Sequence, residues 1–227
     1  MDAVASPFDA AARITQPFAA AVHDEAPQLD ARLVLHSKQY RIVGTLGEGG
    51  MGTVYRAYDP LLERDVALKV MKPGLPAAAR RCFRAEALYG ARLCHPNLVR
   101  IFDLGILPDR GLEWFAMEYV RGRDLERLLG GARQRGMRFS LSLVGQVFDG
   151  ILDALAYAHR QGVVHRDVKP ANLFLHVDPR DPQGRVRAKI LDFGIAKVVT
   201  GDVTHIETQA GTLLGTPYYL APERALG

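Results

Sequence analysis

From Tyr40 onward the apolar positions fall into short, regular blocks. Tyr40-Arg41-Ile42-Val43 and Thr53-Val54-Tyr55-Arg56-Ala57-Tyr58 have strand spacing and flank a glycine-dense turn, which predicts a hairpin with a glycine-rich tip. Val66 to Met71 predicts a third strand. Pro76 to Leu93 predicts a helix with Phe83, Ala87 and Gly90 along one side. Glu86 lies on that same side, where a charge needs a partner. Val99 to Leu104 and Glu113 to Tyr119 add two strands. Past Gly122 the spacing becomes helical: Asp124 is an N-cap for a short helix through Leu129, and Ser140 caps a long one. In the long helix Val144, Val147, Phe148, Ile151, Leu155 and Ala158 form an apolar stripe, and Gly162 ends it. The fold class that follows is α+β, with a β-rich first part, a helical second part and a hinge near residues 118 to 122. Residues 1–36 are rich in Ala, carry Pro7, Pro17 and Pro27 and keep no period, so a mobile leader is expected ahead of a β-rich unit over 37–120 and a helical unit over 121–227.

Composition narrows this picture only a little. The 227 residues allow one two-lobed domain, and 48% hydrophobic with 24% charged residues indicates a packed core. The excess of 29 basic over 25 acidic residues is spread along the chain, so nucleic acid is not an expected partner. Cys82 and Cys94 lack metal-ligand spacing, which points to reduced thiols. No basic start with an apolar core opens the chain, and charges interrupt each apolar stretch before 18 residues; a cytoplasmic chain without a membrane segment is expected.

Chemistry concentrates in four places. Gly47-Glu48-Gly49-Gly50-Met51-Gly52-Thr53-Val54 holds G-x-G-x-x-G, but a strand follows it, not the helix that a dinucleotide fingerprint requires. A side-chain-free hairpin tip lets backbone N–H groups approach phosphate oxygens. Lys69 sits mid-strand among apolar residues, where an ammonium is costly without a partner, and Glu86 can be that partner. His165-Arg166-Asp167-Val168-Lys169-Pro170-Ala171-Asn172 places an acid, an amine and an amide in one loop, between Val163-Val164 and Leu173-Phe174-Leu175, read as two short strands. Asp192-Phe193-Gly194 follows another apolar run. Phosphoryl transfer needs this set: an acceptor for a hydroxyl proton, cations over the γ-phosphate and oxygen ligands for Mg²⁺.

These motifs, in this order, resemble the eukaryotic-type protein kinases and in particular their bacterial serine/threonine members. Gly-Glu-Gly-Gly-Met-Gly at 47 to 52, Asp-Val-Lys-Pro-Ala-Asn at 167 to 172 and Gly-Thr-Pro-Tyr-Tyr-Leu-Ala-Pro-Glu at 215 to 223 carry the resemblance. It implies a bilobal kinase-like fold that uses ATP and Mg²⁺ and acts on Ser or Thr hydroxyls of proteins. By the resemblance Asp167 is the catalytic base, Lys169 steadies the transferring phosphoryl group, and Asn172 and Asp192 bind Mg²⁺. Lys69 holds the α- and β-phosphates and pairs with Glu86. Leu46, Val54 and Ala67 roof the adenine, Met117 is the gatekeeper, the Glu118 carbonyl and Val120 amide meet the adenine edge, and Asp124 reaches the ribose. Lys169 and Thr216 match the serine/threonine class. Arg166 beside the base matches kinases switched by phosphorylation, with Thr208 or Thr212 as the expected autophosphorylated residue and Thr200, Thr204 and Thr216 as the other threonines of that segment. Small-molecule kinases of related fold usually carry His-Gly-Asp where this chain has His165-Arg166-Asp167.

Three departures stand out. The stretch between Asn172 and Asp192 is longer than usual, with Asp178 to Arg185 rich in Pro, Asp and Gly, so an extended surface hairpin is expected. Gly90 stands where many relatives place a larger residue, which predicts a looser helix. The resemblance stops just past Ala221-Pro222-Glu223, so the helical lobe is expected to be incomplete, with an uncovered apolar stripe on the 141–161 helix. The alternatives are then an active kinase whose cover comes from a homodimer or another chain, and a truncated, inactive nucleotide-binding regulatory fragment.

Overall fold

The computed structural model describes residues 32–35, 38–107, 110–177, 185–192 and 219, with side chains from Tyr40 onward. Its first part is one antiparallel sheet of six strands: β1 (Arg32–Leu35), β2 (Lys38–Glu48), β3 (Gly52–Asp59), β4 (Arg64–Met71), β5 (Ile101–Ile106) and β6 (Glu113–Glu118), in the spatial order β1-β2-β3-β4-β6-β5. β4 lies inside the sheet and is buried from Val66 to Met71, which is why it reads as an unbroken apolar run with Lys69 in its middle. Tyr40, Tyr55, Val66, Leu68 and Trp114 fill one face. Ala67, Met71, Phe115 and Met117 fill the other, against Phe83 and Ala87 of helix α1 (Ala77–Arg92).

α1 needs small residues on its inner side. A Cβ at Gly90 would lie 2.5 Å from Ile101 Cδ1, so the isoleucine of β5 occupies the volume that a larger residue would fill. The gap expected at this position is closed from the sheet, and Gly90 is buried. Gly52 at the foot of the glycine turn is required for a similar reason: a Cβ there would lie 2.6 Å from the Val70 carbonyl oxygen, which is backbone and has no rotamer to yield.

The second part combines a three-stranded antiparallel sheet, β7 (Gly122–Asp124), β8 (Leu173–Val177) and β9 (Val186–Ile190), with helices α2 (Leu125–Gln134) and α3 (Leu141–Arg160). Asp124 and Ser140 cap α2 and α3 through their side-chain oxygens, and Gly162 supplies the left-handed residue after α3 (φ 74°). Leu143, Val147, Ile151, Ala154 and Ala158 of α3 pack with Leu173, Leu175, Ala188 and Ile190 of the sheet. The packed face is turned relative to the sequence stripe: Leu143 and Ala154 join it, while Val144 and Phe148 of the stripe remain 38% and 48% exposed. By length and composition α3 is apolar enough to cross a membrane, yet one side of it forms this core and Asp149 and Asp153 interrupt its length.

The expected elements recur with shifted bounds, and three readings change. β1 begins at Arg32, inside the span assigned to a leader; residues 1–31 lie outside the described ones. Val163-Val164 is not a strand, since the chain enters the catalytic loop as coil held by the Val163 N–H donating to Ala158 O at 2.9 Å. Helix α2 continues past Leu129 to Gln134. The extended hairpin after Asn172 is present as β8–β9, with Val177 opposite Val186; residues 178–184 lie outside the described ones.

The two tip glycines separate packing from chemistry. Gly52→Ala is expected to lower stability by about 1–3 kcal/mol. Gly50→Ala, where no atom lies within 4 Å of the added Cβ, is expected to stay within about 0.5 kcal/mol of the parent. Urea denaturation of the two variants checks this, and equal losses would contradict it.

Candidate active site

Strand pairing decides which side chains share one face of the sheet. In the β3–β4 register Val54 lies opposite Lys69, and in the β4–β6 register Ala67 lies opposite Met117. Residues separated by up to 63 positions in sequence, Val54 to Met117, thus line one stretch of sheet. Leu46 sits within an irregularity of the β2–β3 pairing and is partly exposed. At the tip, Gly49 N donates to Gly52 O at 2.9 Å and Lys72 N to Met51 O at 3.1 Å, while Lys72 Nζ lies 2.7 Å from the Glu48 carboxylate.

Below the sheet α1 presents Glu86. Lys69 Nζ donates to its Oε1 at 2.6 Å, with side chains only 9% and 7% exposed, and the same ammonium lies 3.5 Å from Asp192 Oδ1. Two carboxylates thus converge on one buried cation. Burial pushes the Glu86 carboxyl up to about 7, with Lys69 opposing and Asp192 adding to the rise. The Lys69 ammonium is held above its ordinary value: burial acts against it, but the charges of Asp192 and Glu86 outweigh that.

The catalytic-loop side chains are joined by short bonds. Lys169 Nζ lies 2.9 Å from Asp167 Oδ2, and Asn172 Nδ2 donates to the same carboxylate at 3.1 Å and to Asp167 O at 2.8 Å. With its amide nitrogen so engaged, the carboxamide oxygen of Asn172 is the atom left to meet a cation. Leu191 N donates to Asn172 O at 2.9 Å, which fastens the residue before Asp192 to the loop. His165, buried, accepts from Asp167 N on Nδ1 at 3.3 Å and donates from Nε2 to Leu191 O at 3.0 Å. Burial lowers its pKa, so the ring favours its neutral form and bridges the loop at Asp167 to Leu191 just after β9. Arg166 and Asp192 have left-handed backbones (φ 62° and 45°), a conformation that non-glycine residues hold only under constraint.

The structure therefore gathers Lys69, Glu86 and Asp192 in one cluster and Asn172, Asp167 and Lys169 in another, with the Leu191 N–Asn172 O bond joining the two. At the hinge, Glu118 and Val120 are part-buried, and the Glu118 amide donates to Arg100 O at 2.8 Å. Asp124 is buried as the α2 cap, its carboxylate accepting from Arg127 N at 2.8 Å and pairing with Arg127 Nε at 3.3 Å, so a ribose contact would share those oxygens. Phe193, Gly194 and the threonines at 200, 204, 208, 212 and 216 lie outside the described residues, as does the Ala221-Pro222-Glu223 segment.

The sequence pattern of the protein kinase domain matches residues 40–226. The chain belongs to the protein kinase family. It is 39% identical over 192 residues to the serine/threonine-protein kinase pkn3 of Myxococcus xanthus, covering 83% of this chain and 34% of that protein. It is 40% identical over 189 residues to the DNA damage-responsive serine/threonine-protein kinase RqkA of Deinococcus radiodurans, covering 83% and 26%. The crystal structure of the Mycobacterium tuberculosis PknI kinase domain superposes with a TM-score of 0.58 at 32% identity, covering 74% of this chain and 63% of that one. The chain spans between about a quarter and a third of the length of these curated relatives.

One member of the kinase domain's polar framework escaped the reading of motifs. Lys189 is buried in β9 and pairs with Glu118 at 2.7 Å. The signal that singled out Lys69, a lysine in mid-strand among apolar neighbours, was present there too, in Ala188-Lys189-Ile190.

The raised pKa of Glu86 has a definite sign. The folded state keeps the Glu86 proton from its ordinary 4.5 up to about 7, so the stability this group contributes is full below 4.5 and is lost as pH rises toward 7. Glu86→Gln cannot release that proton. Between pH 5 and pH 7.5 the variant is expected to lose less thermal stability than the parent; a parallel shift of both melting temperatures would contradict the assignment.

Proposed function

We propose that this kinase domain transfers the γ-phosphate of ATP to Ser or Thr hydroxyls of proteins, itself included. The observation that carries the proposal is the network joining Lys69, held by Glu86, through Asp192 and Asn172 to Asp167. It gathers two amines, the carboxylates of Asp167 and Asp192 and the Asn172 carboxamide, which supports reading them as the cations, proton acceptor and metal ligands of phosphoryl transfer.

The donor set fits Mg²⁺. Among the described residues no group of three His, Cys, Asp or Glu side chains could hold a metal alone. Mg²⁺ on a nucleotide needs only one or two protein ligands beside phosphate oxygens, and Asn172 with Asp192 meets that requirement. When bound, the ion neutralises charge on the β- and γ-phosphates. Lys69, oriented by Glu86, binds the α- and β-phosphates; the glycine tip offers backbone N–H groups; Leu46, Val54, Ala67 and Met117 bound the adenine, with the Glu118 carbonyl and Val120 amide at its edge and Asp124 near the ribose.

In the transfer the substrate Oγ–P bond forms as the bond from the γ-phosphorus to the bridging oxygen of ADP breaks. Asp167 takes the hydroxyl proton, and Lys169, 2.9 Å from that carboxylate, faces the charge of the moving phosphoryl group. Phosphorylation of Thr208 or Thr212 would bring nearly two negative charges to a segment that Arg166 can order. A second reading, a nucleotide-binding regulatory domain acting through a partner or a second copy, is favoured by the open face of α3 at Phe148 and Leu152.

The test is transfer of ³²P from labelled ATP to a basic protein mixture. Asp167→Asn is expected to lower the rate at least about 100-fold with nucleotide affinity kept. Affinity without transfer by the parent chain would favour the regulatory reading, and absence of both would sink the proposal. For self-modification, peptide mapping after incubation with ATP should find phosphate on Thr208 or Thr212 in the parent and none in Asp167→Asn; both threonines unmodified in an active parent would refute it.

A further inference from the structure

Lys189 takes no part in the chemistry above, yet it is 9% exposed in the middle of β9 between Ala188 and Ile190, each 1% exposed. Its Nζ donates to Glu118 Oε2 at 2.7 Å and lies 3.4 Å from Leu98 O. The same carboxylate oxygen accepts from Arg100 N at 3.3 Å, and Glu118 N donates to Arg100 O at 2.8 Å. Glu118 is thus fastened through its backbone to one segment and through its side chain to that segment and to β9.

The segment Asn97–Arg100 is itself bound to β9. Val99 N donates to Ile190 O at 3.0 Å, Ile190 N to Asn97 O at 2.8 Å, and Asn97 Nδ2 to Ala188 O at 2.7 Å. Gly150 of α3 closes the block from behind, since a Cβ there would lie 2.6 Å from Asn97 Nδ2. β9 then leads directly through Leu191, tied to Asn172, into Asp192. One hydrogen-bonded block therefore joins the hinge, where the adenine is assigned, to the carboxylate assigned to the metal and phosphates.

We propose that Lys189 is a positioning residue for the nucleotide: through Glu118 it fixes the hinge peptide at a set distance from Asp192, so that the two ends of one ATP molecule meet both contacts at once. The proposal rests on the nucleotide reading of the cleft. Lys189 alone would be left as a buried charge, so it is held to Glu118, whose side chain keeps 29% exposure, in one geometry. The hinge of a two-part domain otherwise has freedom to open, and Glu118 is the hinge residue whose side chain crosses to the second part's sheet through this pair. Preorganising two contacts against one ligand acts on ground-state binding, whereas Asp167 and Lys169 act on the transferring group.

The experiment compares the parent chain with Lys189→Met, Lys189→Arg, Glu118→Gln and the Lys189→Met/Glu118→Gln double variant. It reads KM for ATP, kcat, the Kd of a fluorescent ADP analogue and the melting temperature of each. Lys189→Met is expected to raise KM and Kd about tenfold, with kcat within about threefold of the parent. Glu118→Gln should do the same, the double variant should be no worse than the worse single one, and Lys189→Arg should recover most of the affinity. If Lys189→Met does not fold, Glu118→Gln, of equal size, carries the test together with Lys189→Arg. Folded variants that bind nucleotide as tightly as the parent would overturn the inference while leaving the site reading intact. A rise in kcat at unchanged KM would also overturn it, since the pair would then restrain motion of the two parts instead of placing the ligand. A parent chain that binds no nucleotide would overturn the reading of the cleft and this inference with it.

Discussion

The fold of this kinase domain turns on the rule that a charge withdrawn from water must find an opposite one. Lys69 lies in β4, which is buried from Val66 to Met71, and Glu86 on the inner face of α1 is its close partner at 2.6 Å. Any arrangement of α1 that keeps the apolar contacts of Phe83 and Ala87 but turns Glu86 away takes the nearest carboxyl partner from the buried Lys69 and leaves a buried polar group on α1 without its own. The hydrophobic face determines that α1 packs on the sheet; the ion pair determines its rotation and depth. Asp192 then approaches the same ammonium at 3.5 Å, and through Leu191 and Asn172 that position is shared with Asp167.

A second buried lysine repeats the arrangement on the other side of the cleft. Lys69–Glu86 joins a strand to a helix within the first part, and Lys189–Glu118 joins the hinge to the sheet of the second. Segment Asn97–Arg100 precedes β5 in sequence and bonds to Glu118 on one side and to β9 on the other. The loop after α1 is thus hydrogen-bonded to the sheet of the second part although it lies in the first part by sequence. The protein has two lobes in sequence order and one continuous polar spine across them.

Much of this was legible before any coordinates. The strand–glycine turn–strand order, the burial of Glu86, both helix caps and the left-handed Gly162 all follow from spacing and from the chemistry of single residues. The misjudged points share a cause. Val163 and Val164 have strand-forming side chains, but the loop there has no neighbouring strand to pair with, and β propensity means little without one. Val144 and Phe148 belong to the apolar stripe of α3 but not to its packed face, since periodicity states which side is apolar and not how wide a partner lies against it. Gly90 was read as a gap because the residue that fills it, Ile101, comes from another element.

What the order of amino acids settled alone was therefore the inventory: which segments are strands or helices, which glycines form the tip, and which acids, amines and carboxamide match the motifs of the family. These depend on interactions over a few residues, whose distances are set by covalent geometry. Which carboxylate meets Lys189, how Val54 comes to lie opposite Lys69, and that Ile101 replaces the side chain missing at Gly90 were decided only by the tertiary structure. Such pairings join residues far apart along the chain. Their partners are selected by the collective packing of sheet, helix and loop, in which each buried polar group must be satisfied by whatever the fold brings within reach.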